Sequence, residues 1–534
     1  MNLWHQPLYP LPGAVLSAAV AAVPLVVVLL LMGWLRKPGY FAAASGLVSA
    51  LLLACAVWRM PVGLALWSAG YGMVYALWPI MWIVFTALWL YNLAVDTGKF
   101  DLLRRWMEEH ASGDMRIQAV MVAFCFGALL EGTAGFGAPV AVAAFLLMSL
   151  GFGSRKAVTL SLIANTAPVA FGALGIPVVA LAGVTGLDLM KLSAMVGRQL
   201  PLMSFLLPSY LIVVLAGRKG LREVWPASVV AGGSFAAVQF LVSNYWGPYA
   251  VDVLASLVSI IALALFLRAW KPCNPLGHDR PTTGDTRGAK LSLAQSIGGW
   301  IPWLLLATVM VVWSYFKLFD KFQIPVAVPH LHNAIFITLY QKSYAAIYNF
   351  QPLAAGTAAL TATLVTALIL RASPRVVLRS GLATLRQLLL PGLTVLLIVS
   401  LAYTYNYSGM AYTLGAALAG LGALFPLASS FLGWTACFLS GSDTASNLLF
   451  GNLQVAAAHQ LGVSPILLAA TNSSGAVAGK MISPQNIAVG VTTVGLVGRE
   501  GDVLRDTFWH SILFAAMLSV LAFAQAHWLS WMVP

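Results

Sequence analysis

Two carboxylates, Glu131 and Asp443, lie in otherwise apolar sequence. Glu131 follows the residues FGALL and precedes GTAGFGAP, so its upstream neighbours are all apolar. A carboxylate withdrawn from water holds a proton more readily than a solvated one, and it can load and release that proton in a cycle. We therefore predict that Glu131 is a proton-coupling residue. The alternative is a structural acid that stays neutral and hydrogen-bonded.

Asp443 has a more polar setting, in the sequence FLSGSDTASN. Neighbouring hydroxyl and amide groups can stabilise the ionised carboxylate by hydrogen bonds. We predict that Asp443 shares in proton coupling with Glu131. We also predict that the hydroxyl residues beside it bind substrate: Ser440, Ser442 and Thr444.

Two cationic residues have apolar surroundings as well. Lys480 lies in GAVAGKMISPQN, where its ammonium group can pair with a carboxylate, Asp443 being its natural partner, or bind an anionic substrate. Arg198 lies in AMVGRQLPLM and is a further candidate for substrate binding. The alternative for Arg198 is a position at a helix end, with its side chain reaching the interface.

The sequence around Glu131 recurs in the second half of the chain. Aligning CFGALLEGTAGFGAPVA (125–141) with CFLSGSDTASNLLFGNL (437–453) places Glu131 on Asp443 without a gap. A second pair of blocks, NTAPVAFGALGIP and NSSGAVAGKMISP, follows in the same order. It aligns Asn165 with Asn472. We infer an internal repeat whose copies are 115–217 and 429–498.

Repeated halves are typical of secondary transporters, whose site lies at mid-membrane between helices interrupted by Gly, Pro and small polar residues. All four blocks have that composition. The alternative is that the small residues merely let helices pack closely. If these blocks form the binding site, we predict further substrate-binding residues in them: Gly135, Gly137, Asn165, Thr166, Asn472 and Ser473.

The composition shows what solvent must surround these residues. Of 534 residues, 60% are hydrophobic and 8% are charged, and the mean hydropathy is +0.87. A soluble chain carries about 25% charged residues, so lipid must cover most of this surface. The net charge of +13 comes from short basic clusters between apolar runs. That pattern is the positive-inside rule of membrane proteins and excludes a nucleic-acid-binding face.

Apolar runs of spanning length recur from 14–35 to 509–532, and we predict an all-α, polytopic membrane protein with 12–14 spanning helices, some re-entrant or broken. The polar stretch 269–298 is predicted to be a cytoplasmic linker between membrane halves 1–268 and 299–534. The positions of the basic clusters place both termini in the periplasm. We expect 317–350 to be an external loop with a possible surface helix, and 101–110 to be a helix on the membrane surface.

Several functional classes are excluded. No Walker A, GxSxG or HExxH pattern occurs, and the chain is not predicted to be an enzyme. The histidines and the four cysteines are scattered, so neither a metal site nor a disulfide framework is expected. We predict no cofactor.

At its motifs the chain resembles the bacterial lactate permease family over essentially its whole length. The resemblance rests on YGMVYALWPIMWI, FCFGALLEGTAGFGAPVA, NTAPVAFGALGIP, FLGWTACFLSGSDTASNLLF and GKMISPQNIAVG. It implies proton-coupled uptake of L-lactate, D-lactate and glycolate across the bacterial inner membrane. It also implies inverted repeats with re-entrant hairpins. A sodium-coupled carboxylate carrier or ion antiporter of similar architecture is the alternative, and a membrane sensor that binds lactate without transport is a third.

Overall fold

The computed structural model describes residues 3–110, 113–135, 137–277 and 291–534. In the first half the α-helices are α1 Ala14–Leu29, α2 Gly39–Ala56, α3 Val62–Tyr75, α4 Trp82–Asp96, α5 Lys99–His110, α6 Met115–Ala119, α7 Gly127–Thr133, α8 Ala138–Ser149, α9 Ser154–Ala164, α10 Gly172–Thr185, α11 Leu189–Tyr245 and α12 Val251–Ala269. In the second half they are α13 Leu293–Tyr315, α14 Ala355–Ile369, α15 Pro374–Ser408, α16 Met410–Leu418, α17 Phe425–Ser440, α18 Asp443–Leu461, α19 Pro465–Lys480, α20 Pro484–Thr493 and α21 Glu500–His527.

Shorter elements complete the described chain. Three π-helical turns extend or join helices at Leu30–Trp34, Ala76–Met81 and Val120–Phe126. Four 3-10 turns lie at Val169–Phe171, Leu318–Asp320, Ala419–Leu424 and Ser530–Met532. The strands are β1 Trp4–His5, β2 Ile324–Ala327, β3 Ile335–Ile337, β4 Lys342–Ser343 and β5 Ile347–Phe350.

The predicted all-α, polytopic membrane fold is confirmed. Among the described residues, ten helices are long and apolar enough to cross a membrane, or eleven if one bent pair is a single span. α11 counts once among these helices, although it turns back at Gly217, where φ is 69°, and so contains two apolar segments. Its two halves pack together, since Ser204 donates a 2.7 Å hydrogen bond to Gln239. α8, with 12 residues, is too short to span and is not among the ten.

The stretch 317–350 forms strands instead of the surface helix that we considered. β2 pairs antiparallel with β5, while β3 pairs with β4 and, in parallel, with β1 near the N-terminus. These pairs place the start of the chain and residues 324–350 on one side of the molecule, which we call the strand face. The polar stretch 269–298 is described only at its two ends, and α13 begins within it at Leu293.

The opposite side is called the basic face, and α1 with its π-helical extension leads there, to Arg36 and Lys37. Arg116 belongs to this region but is buried. It forms ion pairs of 2.6 Å with Asp114 and 2.5 Å with Glu223. Burial alone would raise the pKa of Asp114, but hydrogen bonds from Arg116 and from the Leu276 N–H outweigh it, so the pKa lies below its ordinary value. Arg116 is therefore a buried structural residue and not part of an exposed basic surface.

The sequence blocks that we aligned correspond to interrupted helices. α7 and α8 form a first hairpin that turns at Gly135, and α17 and α18 form a second that turns at Gly441. Each is followed by a broken helix, α9–α10 and then α19–α20; the first is bent by 65°. Hairpin and broken helix thus occur twice in the same order. The internal repeat itself stays a prediction.

Close packing of glycines fixes the position of α19. Gly475 and Gly479 are four residues apart, and an ideal Cβ on them would lie 2.1 Å and 2.2 Å from the carbonyl oxygens of Ser430 and Trp434 in α17. Small residues at this spacing let two membrane helices approach to backbone contact. The last residue of α19 is Lys480, so this packing also sets where the lysine lies.

We expect Gly479→Ala to destabilise the protein by about 1–3 kcal/mol, because a methyl group there overpacks against backbone that cannot rotate away. Thermal unfolding in detergent measures the effect as a lower Tm. Gly70→Ala in α3 is the matched control, since no heavy atom lies within 4 Å of its ideal Cβ. An unchanged Tm for Gly479→Ala would show that α17 and α19 are not locked together.

Candidate functional site

Glu131 and Lys480, which are 349 residues apart in sequence, form a buried ion pair. The Lys480 Nζ lies 2.6 Å from the Glu131 Oε1, and their side chains are 9% and 4% exposed. The other oxygen, Oε2, accepts a 2.9 Å hydrogen bond from the Asn165 amide at the end of α9. An ideal Cβ on Gly172 would lie 2.7 Å from the Glu131 Oε1, so a glycine is needed beside the carboxylate. The first hairpin and both broken helices therefore meet at this pair.

Asp443 lies at the start of α18 and has one hydrogen-bonded oxygen. Ser473 donates a 2.8 Å hydrogen bond to its Oδ2, and Asn447 donates in turn to Ser473 at 3.0 Å. Asn447 also donates to the carbonyl of Pro177 at 3.1 Å, which ties the second hairpin to α10. Among the described residues, the buried Oδ1 of Asp443 has no hydrogen-bond partner.

The hydroxyl groups beside Asp443 bond to backbone and not to its carboxylate. Ser440 donates to the Ala436 carbonyl at 2.7 Å, and Ser442 caps α18 by accepting from the Ala445 N–H at 3.3 Å. The expected ring of hydroxyls around an ionised Asp443 is therefore not formed. Ser442 and Thr444 instead line the adjoining cavity, and their role in substrate binding stays a prediction.

A small cavity of about 70 Å³ lies beside the ion pair. One water needs about 10–15 Å³ of such space, so the cavity holds a molecule of a few heavy atoms. Its lining residues come from both hairpins and both broken helices: Glu131, Gly135, Val169, Gly172, Ala173, Ile176, Pro177, Gly441, Ser442, Asp443, Thr444 and Lys480.

The backbone around the cavity favours an anion. Ser442, Asp443 and Thr444 are the N-cap and first residues of α18, so the unpaired N–H groups and the positive end of that helix lie at the cavity. The helical part of α10 also begins there, after Ala173 and Leu174, which adopt φ values of 44° and 59°. Positive φ is uncommon for residues with a side chain and marks backbone held in place by its surroundings. Together with the Lys480 ammonium, these groups suit a small carboxylate.

A second cavity, of about 520 Å³, adjoins the first. The two share Ile176, Gly441, Ser442 and Thr444, and the larger one extends to the exposed Lys37 on the basic face. Toward the strand face, tyrosines pack on α10: Tyr403 donates a 3.2 Å hydrogen bond to the Gly183 carbonyl. The site is thus open toward the basic face and covered toward the strand face.

Several predicted residues lie outside the cavity lining. Arg198 donates to Asn244 at 2.8 Å and to the Met532 carbonyl at 2.9 Å, so it holds the C-terminal segment away from the ion pair. Asn472 is a buried residue of α19 and donates a 3.0 Å hydrogen bond to Asn447 in α18. Thr166 is buried with no partner for its hydroxyl among the described residues, and Gly137 (φ 84°) is the N-cap of α8.

One acidic residue near the pair was not identified from the sequence. Asp252, in the first turn of α12, is 1% exposed and interacts electrostatically with Glu131 and Lys480. Its surroundings, YAVDVLASLV, contain no glycine-rich or hydroxyl-rich block. An acidic residue in a first helical turn also has an ordinary explanation in the helix dipole. The one available signal was the charge itself in apolar sequence.

The arrangement can exchange one ion pair for another. Protonation of Glu131 would release Lys480, which could then hold a carboxylate in the adjoining cavity. Within the described part of the chain, no group of three or more His, Cys, Asp or Glu residues could hold a metal ion.

Comparison with known proteins identifies the family of the chain. The family model described as L-lactate permease matches residues 17–529. The glycolate permease GlcA of Escherichia coli K12 is 42% identical, with 99% of each chain covered. The L-lactate permease of Salmonella typhimurium is 42% identical over 100% of both chains, and that of Bacillus subtilis is 42% identical over 99% of this chain and 100% of its own.

A solved structure shows the same fold at low identity. Neisseria gonorrhoeae MtrF, described with a class of antimetabolite efflux pumps, matches with a TM-score of 0.50 at 12% identity, over 93% of this chain and 97% of its own. The sequence relatives are permeases and not enzymes. The chain is therefore a multi-pass membrane protein that belongs to the L-lactate permease family.

Proposed function

We propose that the protein carries L-lactate and related 2-hydroxymonocarboxylates, D-lactate and glycolate, together with protons into the bacterial cell. The observation that carries the proposal is the buried Glu131–Lys480 pair at 2.6 Å beside a cavity of small-molecule size. The relatives' names supply the substrate class.

Charge balance explains how the pair couples the two fluxes. In the empty carrier, Lys480 neutralises Glu131. In the loaded carrier, Glu131 is protonated and Lys480 neutralises the substrate carboxylate. The pair region has no net charge in either state, whereas a proton alone or a lactate anion alone would leave a charge inside the membrane, which is costly. Only the fully loaded and fully empty carriers cross readily, and this is symport.

Selectivity for a 2-hydroxy acid follows from the groups around the lysine. The carboxylate would lie against Lys480 and the N-terminus of α18, leaving the hydroxyl within the part of the cavity lined by Ser442 and Thr444. A site that hydrogen-bonds a substrate hydroxyl discriminates against an analogue without it, since its own polar groups would be left unpaired. Acetate should therefore compete less well than glycolate.

The orientation of the protein in the membrane is part of what we propose. The basic face is the cytoplasmic side of the inner membrane, by the positive-inside rule. Both termini then lie in the periplasm, since β1 belongs to the strand face and Arg198 holds Met532 on that side. The open side of the site faces the cytoplasm in this conformation.

Uptake of labelled L-lactate into proteoliposomes tests the proposal. We expect an inward proton gradient to stimulate uptake, replacement of sodium by choline to have no effect, and D-lactate and glycolate to compete. Uptake that ignores the proton gradient but requires sodium would support the sodium-coupled alternative. Binding without uptake would support the sensor.

A further inference from the structure

Asp252 is a third buried carboxyl group near the ion pair, and the proposed charge exchange at Lys480 does not use it. Glu131 and Asp252 belong to helices in backbone contact: an ideal Cβ on Gly132, the next residue after Glu131, would lie 2.7 Å from the Asp252 Cβ and 3.2 Å from the Val253 nitrogen. Glu131 and Asp443 line the small cavity together with Lys480, and Asp252 lies beside them on the neighbouring helix.

A capping role does not account for Asp252. Asp114 and Asp188 each accept a hydrogen bond from a backbone N–H of the helix that follows, as capping residues do. Both carboxyl oxygens of Asp252 are buried and have no hydrogen-bond partner within the residues that the structure describes. A buried, unpaired carboxylate ion is very costly, whereas the neutral acid is tolerated. Asp252 therefore fits its surroundings with a proton bound.

Asp252 does not line either cavity. The segment before α12 packs against the strand side of the molecule: Tyr249 contacts Phe319, with ring centroids 4.4 Å apart and the rings tilted by 37°. In the same segment, the Pro248 carbonyl approaches Gly175 at the break of α10. The wide cavity reaches the site from the basic face. Asp252 thus lies between the strand face and Glu131.

We propose that Asp252 is a proton-relay residue that delivers the coupled proton from the strand face to Glu131. When a substrate carboxylate takes Lys480, the Glu131 Oε1 loses its partner and accepts a hydrogen bond from the Asp252 carboxylic acid. The proton then moves along this hydrogen bond, leaving Asp252 ionised and Glu131 neutral. A proton from the strand side then restores the Asp252 acid, and Glu131 later releases its proton toward the basic face. One proton enters for each proton released. The inference rests on the proposed proton coupling and adds the residue by which the proton arrives.

The test compares the wild-type protein with Asp252→Asn in proteoliposomes. Asparagine keeps the shape of the neutral acid but cannot carry a proton. We expect Asp252→Asn to lose the stimulation of uptake by an inward proton gradient, so that uptake is equal with and without the gradient. Lactate counterflow at equal pH, which requires no net proton movement, should remain measurable. Asp252→Glu should recover part of the gradient stimulation.

Ser256→Ala is the matched control, because Ser256 lies one turn further along α12 and donates a 2.6 Å hydrogen bond to the Asp252 carbonyl without carrying a titratable group. It should keep the wild-type stimulation. Wild-type stimulation in Asp252→Asn would overturn the relay, and so would loss of counterflow together with uptake in a folded Asp252→Asn protein, which would indicate a structural acid. A wild-type protein indifferent to the gradient would refute the proposed proton coupling itself.

Discussion

Lys480→Met is expected to remove lactate uptake in every mode, counterflow included. Without the ammonium group, the substrate carboxylate enters the cavity with only the N-termini of α18 and of the helical part of α10 to balance its charge. Losing one partner of a buried, hydrogen-bonded charge pair costs about 2–5 kcal/mol, which corresponds to roughly 30- to 4,000-fold weaker binding. Labelled lactate binding and counterflow in proteoliposomes measure the loss.

The same substitution should also lower stability, because Glu131 is left buried without its cation. Breaking a buried ion pair by removing one partner costs about 3–5 kcal/mol. In the double variant Glu131→Gln/Lys480→Met both charges are gone, and the Tm should return toward the wild-type value while transport stays absent. That pattern separates the loss of substrate binding from a loss of folding.

Lys191→Met is the matched control, since Lys191 is exposed near the start of α11 and has no part in the cavity lining. It should transport as the wild type does. Counterflow that survives in Lys480→Met would show that the lysine only neutralises Glu131 and that the substrate is held by backbone N–H groups alone.

The sequence was informative about which residues matter and less so about which of them meet. Glu131, Asp443 and Lys480 stand out because a charge in apolar sequence is a local signal. Their pairing depends on helix packing across hundreds of residues, and Lys480 pairs with Glu131 and not, as expected, with Asp443. Hydroxyl neighbours in sequence likewise bond to the backbone of their own helix, as with Ser440. Polar residues that are close to a carboxylate in sequence therefore need not hydrogen-bond to it in the folded protein.

For the fold as well, local sequence predicts the helices, whereas pairing between distant segments is not predicted. Apolar runs predict helices directly, and glycine- and proline-rich blocks correctly predict their interruptions. The strands between residues 324 and 350 were missed because they are short and pair with each other and with the N-terminal β1. Asp252 was passed over for a related reason: what distinguishes it is contact with α7, and its own sequence neighbours carry no sign of that contact.

The second large effect is expected from Glu131→Gln, which should abolish accumulation of lactate while sparing exchange. Glutamine resembles the protonated glutamate, so Lys480 is always available to the substrate carboxylate and the loaded carrier stays neutral. The empty carrier, however, holds an unpaired lysine, which costs about 3–5 kcal/mol in a buried site. Its return across the membrane should slow by at least about 10²-fold.

Net uptake requires the empty carrier to return, whereas counterflow uses only loaded carriers. Glu131→Gln should therefore show no stimulation of uptake by a proton gradient, and counterflow should continue with little dependence on pH, because the group whose protonation governs binding is gone. The measurement is labelled lactate uptake and counterflow on the same proteoliposomes, with equal amounts of folded protein confirmed by size-exclusion profile. If both activities are lost in the folded variant, Glu131 is a structural partner of Lys480. If both persist with wild-type gradient dependence, the proton is carried elsewhere, and the charge exchange at Lys480 is not the coupling step.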